Sequence, residues 1–208
     1  DYFGLHEHVL RWDIPLPDSA LAYAQDVIPD TQPTLMISPC SSHVLRNWRA
    51  EYYAEVADFA SSQLGMRVLI CGGPSAVEKE MGAAICAHMK QPVSNLVGKD
   101  TLLQLLATLQ RATVLISPDS GPAHMATAVG TPVIGLYATA NPARSGPYLS
   151  REWCVNKYEM AAEKFLHKPA SRIAWTTKIE YPGVMDLITP AEVIQKLQQL
   201  MASRAARG

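Results

Sequence analysis

The absences in this chain narrow its class before any motif is considered. No apolar run approaches the roughly 20 residues that a membrane-spanning helix requires, which leaves at most a peripheral association with a membrane. Charge of one sign is also lacking: 18 Lys and Arg stand against 19 Asp and Glu, for a formal charge of −1 over 208 residues. The basic residues are scattered, so a nucleic-acid surface is excluded and any anion site must be local. Cys40, Cys71, Cys86 and Cys154 are far apart, without Cys-x-x-Cys spacing and mostly in apolar surroundings. That pattern fits reduced thiols in a cytosolic protein, not a disulfide framework or a zinc site. There is no Asp-x-Asp pair to hold a divalent cation on a diphosphate, and His6, His8, His43, His88 and His167 show no paired-ligand spacing. Internal repeats, low-complexity tracts and the G-x-G-x-x-G fingerprint are absent as well. The start at Asp1, with neither Met nor a signal-like segment, reads as a processed or truncated chain belonging to a longer protein.

With 48% hydrophobic residues, the chain can bury one sizeable α/β core. Residues 1–33 hold short amphipathic stretches broken by Pro15, Pro17, Pro29 and Pro33, and read as a linker or docking segment. From 34 to 208 strands and helices alternate. Strands are expected at Thr34 to Ser38, Arg67 to Cys71, weakly at Val93 to Leu96, then at Thr113 to Ile116 and Val133 to Tyr137. Helices are expected at Arg49 to Leu64, closed by Gly65, and at Ala76 to Met89, Thr101 to Gln110, Pro122 to Val129 and Pro190 to Met201. Short connections between such elements imply a doubly wound parallel sheet with ligands at the carboxyl ends of its strands.

The junction Asp119-Ser120-Gly121-Pro122-Ala123-His124 lies between an apolar strand and a helix. First-turn N–H groups lack intrahelical acceptors and carry about half a positive charge, so an anion is stabilised there. Gly121 admits close approach, Ser120 or Asp119 can cap the helix, and His124 is early enough to reach a diphosphate. The same residues also describe a well-capped helix with a partly buried His. Ser41, Ser42 and Arg46 form a second candidate grip, hydroxyls beside a forked cation, against the alternative of a solvated loop with Trp48 packed on its flank. Gly72-Gly73 reads as a tight turn. Val97-Gly98-Lys99-Asp100 either borders a nucleobase or caps the next helix, and Arg144, in a polar loop over 138–148, either closes over a ligand or is solvated.

The run from Asp119 to Ala128, followed by Gly130-Thr131-Pro132-Val133-Ile134-Gly135-Leu136-Tyr137 and Asn141-Pro142, resembles the carboxyl-terminal half of the heptosyltransferases, glycosyltransferase family 9. Ser41-Ser42, Arg46, Trp48 and the stretch from Met185 to Val193 extend the likeness over residues 34–201. The resemblance implies a Rossmann-like α/β domain, the second of the two in a GT-B glycosyltransferase, joined to an amino-terminal domain that carries the general base. It implies transfer of heptose from ADP-heptose, with inversion and without metal or other cofactor, to the lipopolysaccharide inner core, in the cytoplasm or peripherally at the inner face of the inner membrane. By the same resemblance Ser41, Ser42 and Arg46 would hold phosphate, Asp119 would face the sugar beside Ser120, Gly121 and His124 would lie by the diphosphate, and Lys99 and Asp100 would border the adenine. Arg46 stands where the family commonly has Lys, and Val184 where many members have Cys. Two alternatives stay open: half of another nucleotide-sugar transferase or epimerase, and a nucleotide-binding module without turnover.

Overall fold

A computed structural model describes residues 9–206. His6, His8 and the opening of the 1–33 segment lie outside the described residues. Six parallel strands form one sheet: β1 (Thr34–Ile37), β2 (Arg67–Ile70), β3 (Ser94–Asn95), β4 (Val114–Pro118), β5 (Val133–Tyr137) and β6 (Val155–Asn156), in the order β3-β2-β1-β4-β5-β6. This is the Rossmann-like doubly wound order, with the direction of winding reversed between β1 and β4.

Side chains on a strand alternate between faces, and both faces here are covered. Leu35, Ile37, Val68, Ile70, Val114, Ile116, Ile134 and Leu136 point into the larger core. There they meet α2 (Ala50–Leu64), α3 (Ala76–His88) and α8 (Pro190–Ala205). Met36, Leu69, Leu115 and Val133 point the other way, to α4 (Leu102–Arg111) and α5 (Gly121–Ala128). Capping boxes start α4 at Thr101 with Gln104 and α8 at Thr189 with Glu192, and Gly65 ends α2 in the left-handed conformation at φ 62°.

Three parts differ from the sequence-based expectation. The Pro-broken segment contains a ten-residue helix, α1 (Asp18–Val27), whose Ala20 and Ala24 pack on Ala107 of α4, while the Ile28 carbonyl accepts two hydrogen bonds from Arg111. The third strand is only Ser94–Asn95. Beyond β5 the chain adds the edge strand β6 and two one-turn helices, α6 (Pro142–Ser145) and α7 (Tyr158–Ala161), before a long irregular stretch. Among the described residues no helix is long and apolar enough to cross a membrane.

Trp48 fixes the loop after β1. It is 1% exposed, its indole N–H donates to the Ile188 carbonyl at 3.0 Å, and Tyr53 meets its ring edge-on with centroids 5.0 Å apart. Trp48→Phe keeps most of the apolar contact but leaves the Ile188 carbonyl unpaired and a gap beside it. Chemical denaturation is expected to show a loss of about 1–3 kcal/mol, and a loss under about 0.5 kcal/mol would show that the hydrogen bond does not anchor the loop.

Candidate functional site

The reversal between β1 and β4 opens a crevice at the carboxyl edge of the sheet, because the loops that follow these two strands depart in opposite directions. A cleft of about 480 Å³ lies there. Its polar wall contains Ser41 and Ser42 from the loop after β1 and Asp119, Ser120 and Gly121 from the loop after β4. Its other wall is largely apolar, with Leu102, Leu105, Pro122 and Met125 from the start of α4 and from α5, joined by Glu78 and Asp100. The two polar loops are tied together, since the Ser41 hydroxyl donates to the Asp119 carbonyl at 2.7 Å.

The expected helix cap is corrected by the structure. Ser120 occupies the N-cap position of α5 but makes no side-chain cap bond; its hydroxyl lies 2.7 Å from that of Ser117. Asp119, with its side chain 9% exposed, accepts from Lys178 Nζ at 2.9 Å instead of turning to the helix. The N–H groups of the first turn of α5 are therefore left without a capping side chain. A Cβ added at Gly121 would meet nothing within 4 Å, so only a group entering the cleft would feel it.

Arg46 ends a short 3-10 turn, Val44–Arg46, and is not a free cation. Its Nε and NH2 both donate to Glu180 Oε1, at 2.6 and 2.5 Å, and NH1 reaches the Ser42 hydroxyl at 3.3 Å. Ser42 is exposed, and with its oxygen accepting from Arg46 its own proton is available to the cleft. Arg46 does not itself line the cleft and reaches it through Ser42, so the charges beside the cleft are largely paired and the donors on its polar side are backbone N–H groups and the Ser42 hydroxyl.

Other predicted residues are placed less centrally. Lys99 Nζ donates back to the Asn95 carbonyl at 2.7 Å and does not line the cleft. His124 is exposed on α5, outside the cleft lining, and so is Arg144 on α6. Asp100 does line it, half-buried, with Oδ2 buried and lacking a hydrogen-bond partner. Burial pushes its carboxyl up to about 6. Cys40, which also lines the cleft, is pushed up to about 11 by burial and then by Glu78, so its thiol stays protonated at neutral pH. Lys178 and Glu180 escaped the sequence reading. They lie in an irregular stretch with no helical or strand period, and the alternation of Lys178 and Glu180 about the buried Ile179 is the only local signal. Among the described residues no group of three or more His, Cys, Asp or Glu side chains is placed to hold a metal ion.

Comparison with known proteins matches residues 1–173 to the sequence profile of glycosyltransferase family 9 (heptosyltransferase). The chain is 38% identical over 200 residues to lipopolysaccharide core heptosyltransferase OpsX of Haemophilus influenzae, a match covering 96% of this chain and 57% of that protein. Its structure is similar to that of a glycosyltransferase family 9 protein from Veillonella parvula, with TM-score 0.73 and 26% identity over 91% of this chain and 53% of that one. It shares the fold of ADP-heptose lps heptosyltransferase II from Escherichia coli, with TM-score 0.71 and 22% identity over 96% of this chain and 56% of the other. The chain therefore spans a little over half the length of these relatives.

The buried carboxyl of Asp100 gives a stability test. Its pKa in the folded chain, about 6, is above the ordinary value of 3.8, so the folded state holds this proton more tightly than the unfolded state does. Stability from this group is complete below about pH 3.8 and is lost as pH rises through 6. Asp100→Asn is expected to melt at a higher temperature than the parent at pH 7, with the advantage shrinking as pH falls from 6 towards 4. A constant difference from pH 4 to 8, measured by thermal denaturation, would show that Asp100 ionises as it would in water.

Proposed function

The chain belongs to glycosyltransferase family 9, and we propose that it is the donor-binding half of a GT-B enzyme that transfers heptose from ADP-heptose to the inner core of lipopolysaccharide. The observation that carries this reading is the uncapped first turn of α5 at the cleft of the β1/β4 reversal, whose lining also includes the apolar side chains Leu102, Leu105 and Met125. A diphosphate needs N–H donors and hydroxyls, and a nucleobase needs an apolar face. The cleft offers the two side by side.

In this reading Ser41, Ser42 and Arg46 hold phosphate oxygens, and Gly121 and His124 lie beside the diphosphate, His124 one turn into α5 and exposed enough to swing over it. Asp119, beside Ser120, faces the heptose with its carboxylate paired to Lys178 at 2.9 Å. The adenine rests against Leu102 and Met125, with Lys99 and Asp100 at its border. The domain division follows: residues 34–208 form the donor domain, and 1–33 lead into it from an amino-terminal partner domain. The likeness to OpsX, a lipopolysaccharide core heptosyltransferase, supports heptose as the sugar and the lipopolysaccharide core as the acceptor.

The chemistry assigned to this half is leaving-group stabilisation. As the bond from the anomeric carbon to the diphosphate oxygen lengthens, negative charge grows on the β-phosphate, and donors aimed at that charge act more strongly than on the ground state. Helix N–H groups, the Ser42 hydroxyl and Arg46 supply them, with no role assigned to a metal ion. The acceptor hydroxyl must lose its proton on the opposite face of the sugar, with inversion. Asp119 sits on the leaving-group side, so the base is assigned to the partner domain, and the acceptor contacts with it. Such an enzyme works in the cytoplasm, at or near the inner face of the inner membrane where its acceptor is anchored.

Calorimetry in chelator-treated buffer is expected to show ADP binding more tightly than UDP or GDP. Arg46→Ala should weaken ADP by about 10 to 100-fold, the value of a charge-assisted hydrogen bond to phosphate. A preference for UDP, or an absolute need for Mg²⁺ or Mn²⁺, would overturn the assignment. Incubated alone with ADP-heptose and a deep-rough lipopolysaccharide acceptor, the chain should give no heptosylated product by mass spectrometry. Turnover of about 1 s⁻¹ or more, an ordinary enzymatic rate, would place the base within these residues.

A further inference from the structure

Residues 178–180 form a strap that ties together the loops after β1 and β4, with the middle residue buried. Ile179 is fully buried and its N–H donates to the Thr139 carbonyl at 2.7 Å, which pins the strap to the sheet edge just beyond β5. Its neighbours turn the other way, each to a different loop: Lys178 to Asp119 after β4, Glu180 to Arg46 after β1. Glu180 spans 134 residues of sequence to take both Nε and NH2 of Arg46 on one oxygen, while its other oxygen lies 3.9 Å from His43 Nε2. Next in the chain, Tyr181 stacks on Phe165 with centroids 5.7 Å apart and holds the far end.

A guanidinium presents its donors in a rigid planar fork, so fixing one edge fixes the direction of the rest. With Nε and NH2 engaged, NH1 is turned towards Ser42, the exposed hydroxyl on the cleft wall. Resting on the reading of Arg46 given above, we propose that Glu180 is a positioning residue for the diphosphate site, orienting Arg46 so that NH1 and the Ser42 hydroxyl present neighbouring donors to one phosphate group. Glu180 itself touches no substrate. Without it the Arg46 side chain would have to give up rotamer freedom on each binding event, and a neighbouring carboxylate would no longer select the productive orientation.

The test compares Glu180→Ala, Glu180→Asp and Glu180→Gln with the parent chain, by calorimetry with ADP, inorganic pyrophosphate and adenosine and by NMR of the Arg46 Nε–H group. Glu180→Ala is expected to weaken ADP and pyrophosphate about tenfold, in the range of one hydrogen bond to a charged group, to leave adenosine unchanged, and to remove the restrained Arg46 signal. Glu180→Asp, which keeps the charge but shortens the reach, should behave as the Ala variant does. Glu180→Gln, which keeps an acceptor in place, should recover most of the affinity. In an Arg46→Ala background the Glu180 substitutions should have no further effect on diphosphate binding. Tighter diphosphate binding by Glu180→Ala or Glu180→Asp would mean that Glu180 competes with phosphate, and unchanged binding with a freed Arg46 would mean that orientation is irrelevant; each overturns the proposal. Failure of the donor reading looks different: a parent chain that binds pyrophosphate without preferring ADP overturns the nucleotide assignment, while the Glu180 comparison is still decided on pyrophosphate. A parent chain that binds neither overturns both.

Discussion

The adjacency of β1 and β4 is the constraint on which the site depends. Parallel strands need crossovers, and crossovers of one hand send β1 to β2 and β3 on one side and β4 to β5 and β6 on the other. Two loops leaving neighbouring strands in opposite directions cannot cover the gap between them. The crevice is thus a product of winding order, not of any one side chain, and the residues around it have only to furnish the gap. Ile37 pairs with Ile116 at the last rung between the two strands, and β4 runs two residues further, to Pro118, alongside β5. The Ser41 bond to the Asp119 carbonyl then joins the two loops across a separation of 78 residues.

Charge beside the cleft is arranged by pairing. Arg46 is matched by Glu180 and Lys178 by Asp119, while Glu78 folds back on its own helix start through Ser75 and the Gly73 N–H. Unpaired buried cations would cost desolvation, and pairing them avoids that cost. In the donor-binding reading proposed above, backbone N–H groups that carry no formal charge would act on the anion together with Arg46, whose own charge is already matched. Asp100 is the exception, a carboxyl whose Oδ2 has no hydrogen-bond partner, and its pKa is raised by burial.

The parts of this architecture governed by local rules were legible in the sequence. Unbroken apolar runs at Leu35-Met36-Ile37 and Val114-Leu115-Ile116 mark strands buried on both faces, and Thr101 and Thr189 mark helix starts through bonds made within three residues. The loops at Ser41-Ser42 and Asp119 to Gly121 were legible for the same reason, since strand ends can be counted along the chain. What was hidden depends on partners far away in sequence. Nothing near Arg46 announces Glu180, and nothing near Asp119 announces Lys178. The helix α1 was masked by the prolines around it: Pro17 serves as its N-cap residue, where a missing N–H is harmless. The expected cap at Ser120 was wrong because Ser117 and Lys178, unseen from the local pattern, claim the groups that would have made it.

The sheet also tapers. Its central strands have four or five residues, whereas β3 and β6 at the two edges have two each. Each edge thus exposes few unpaired backbone groups, too few to template a strand from another molecule. The same brevity limits what either edge can recruit, whereas the cleft is lined by loops and helix starts, surfaces that discriminate by side chain rather than by the indiscriminate repeat of the peptide backbone.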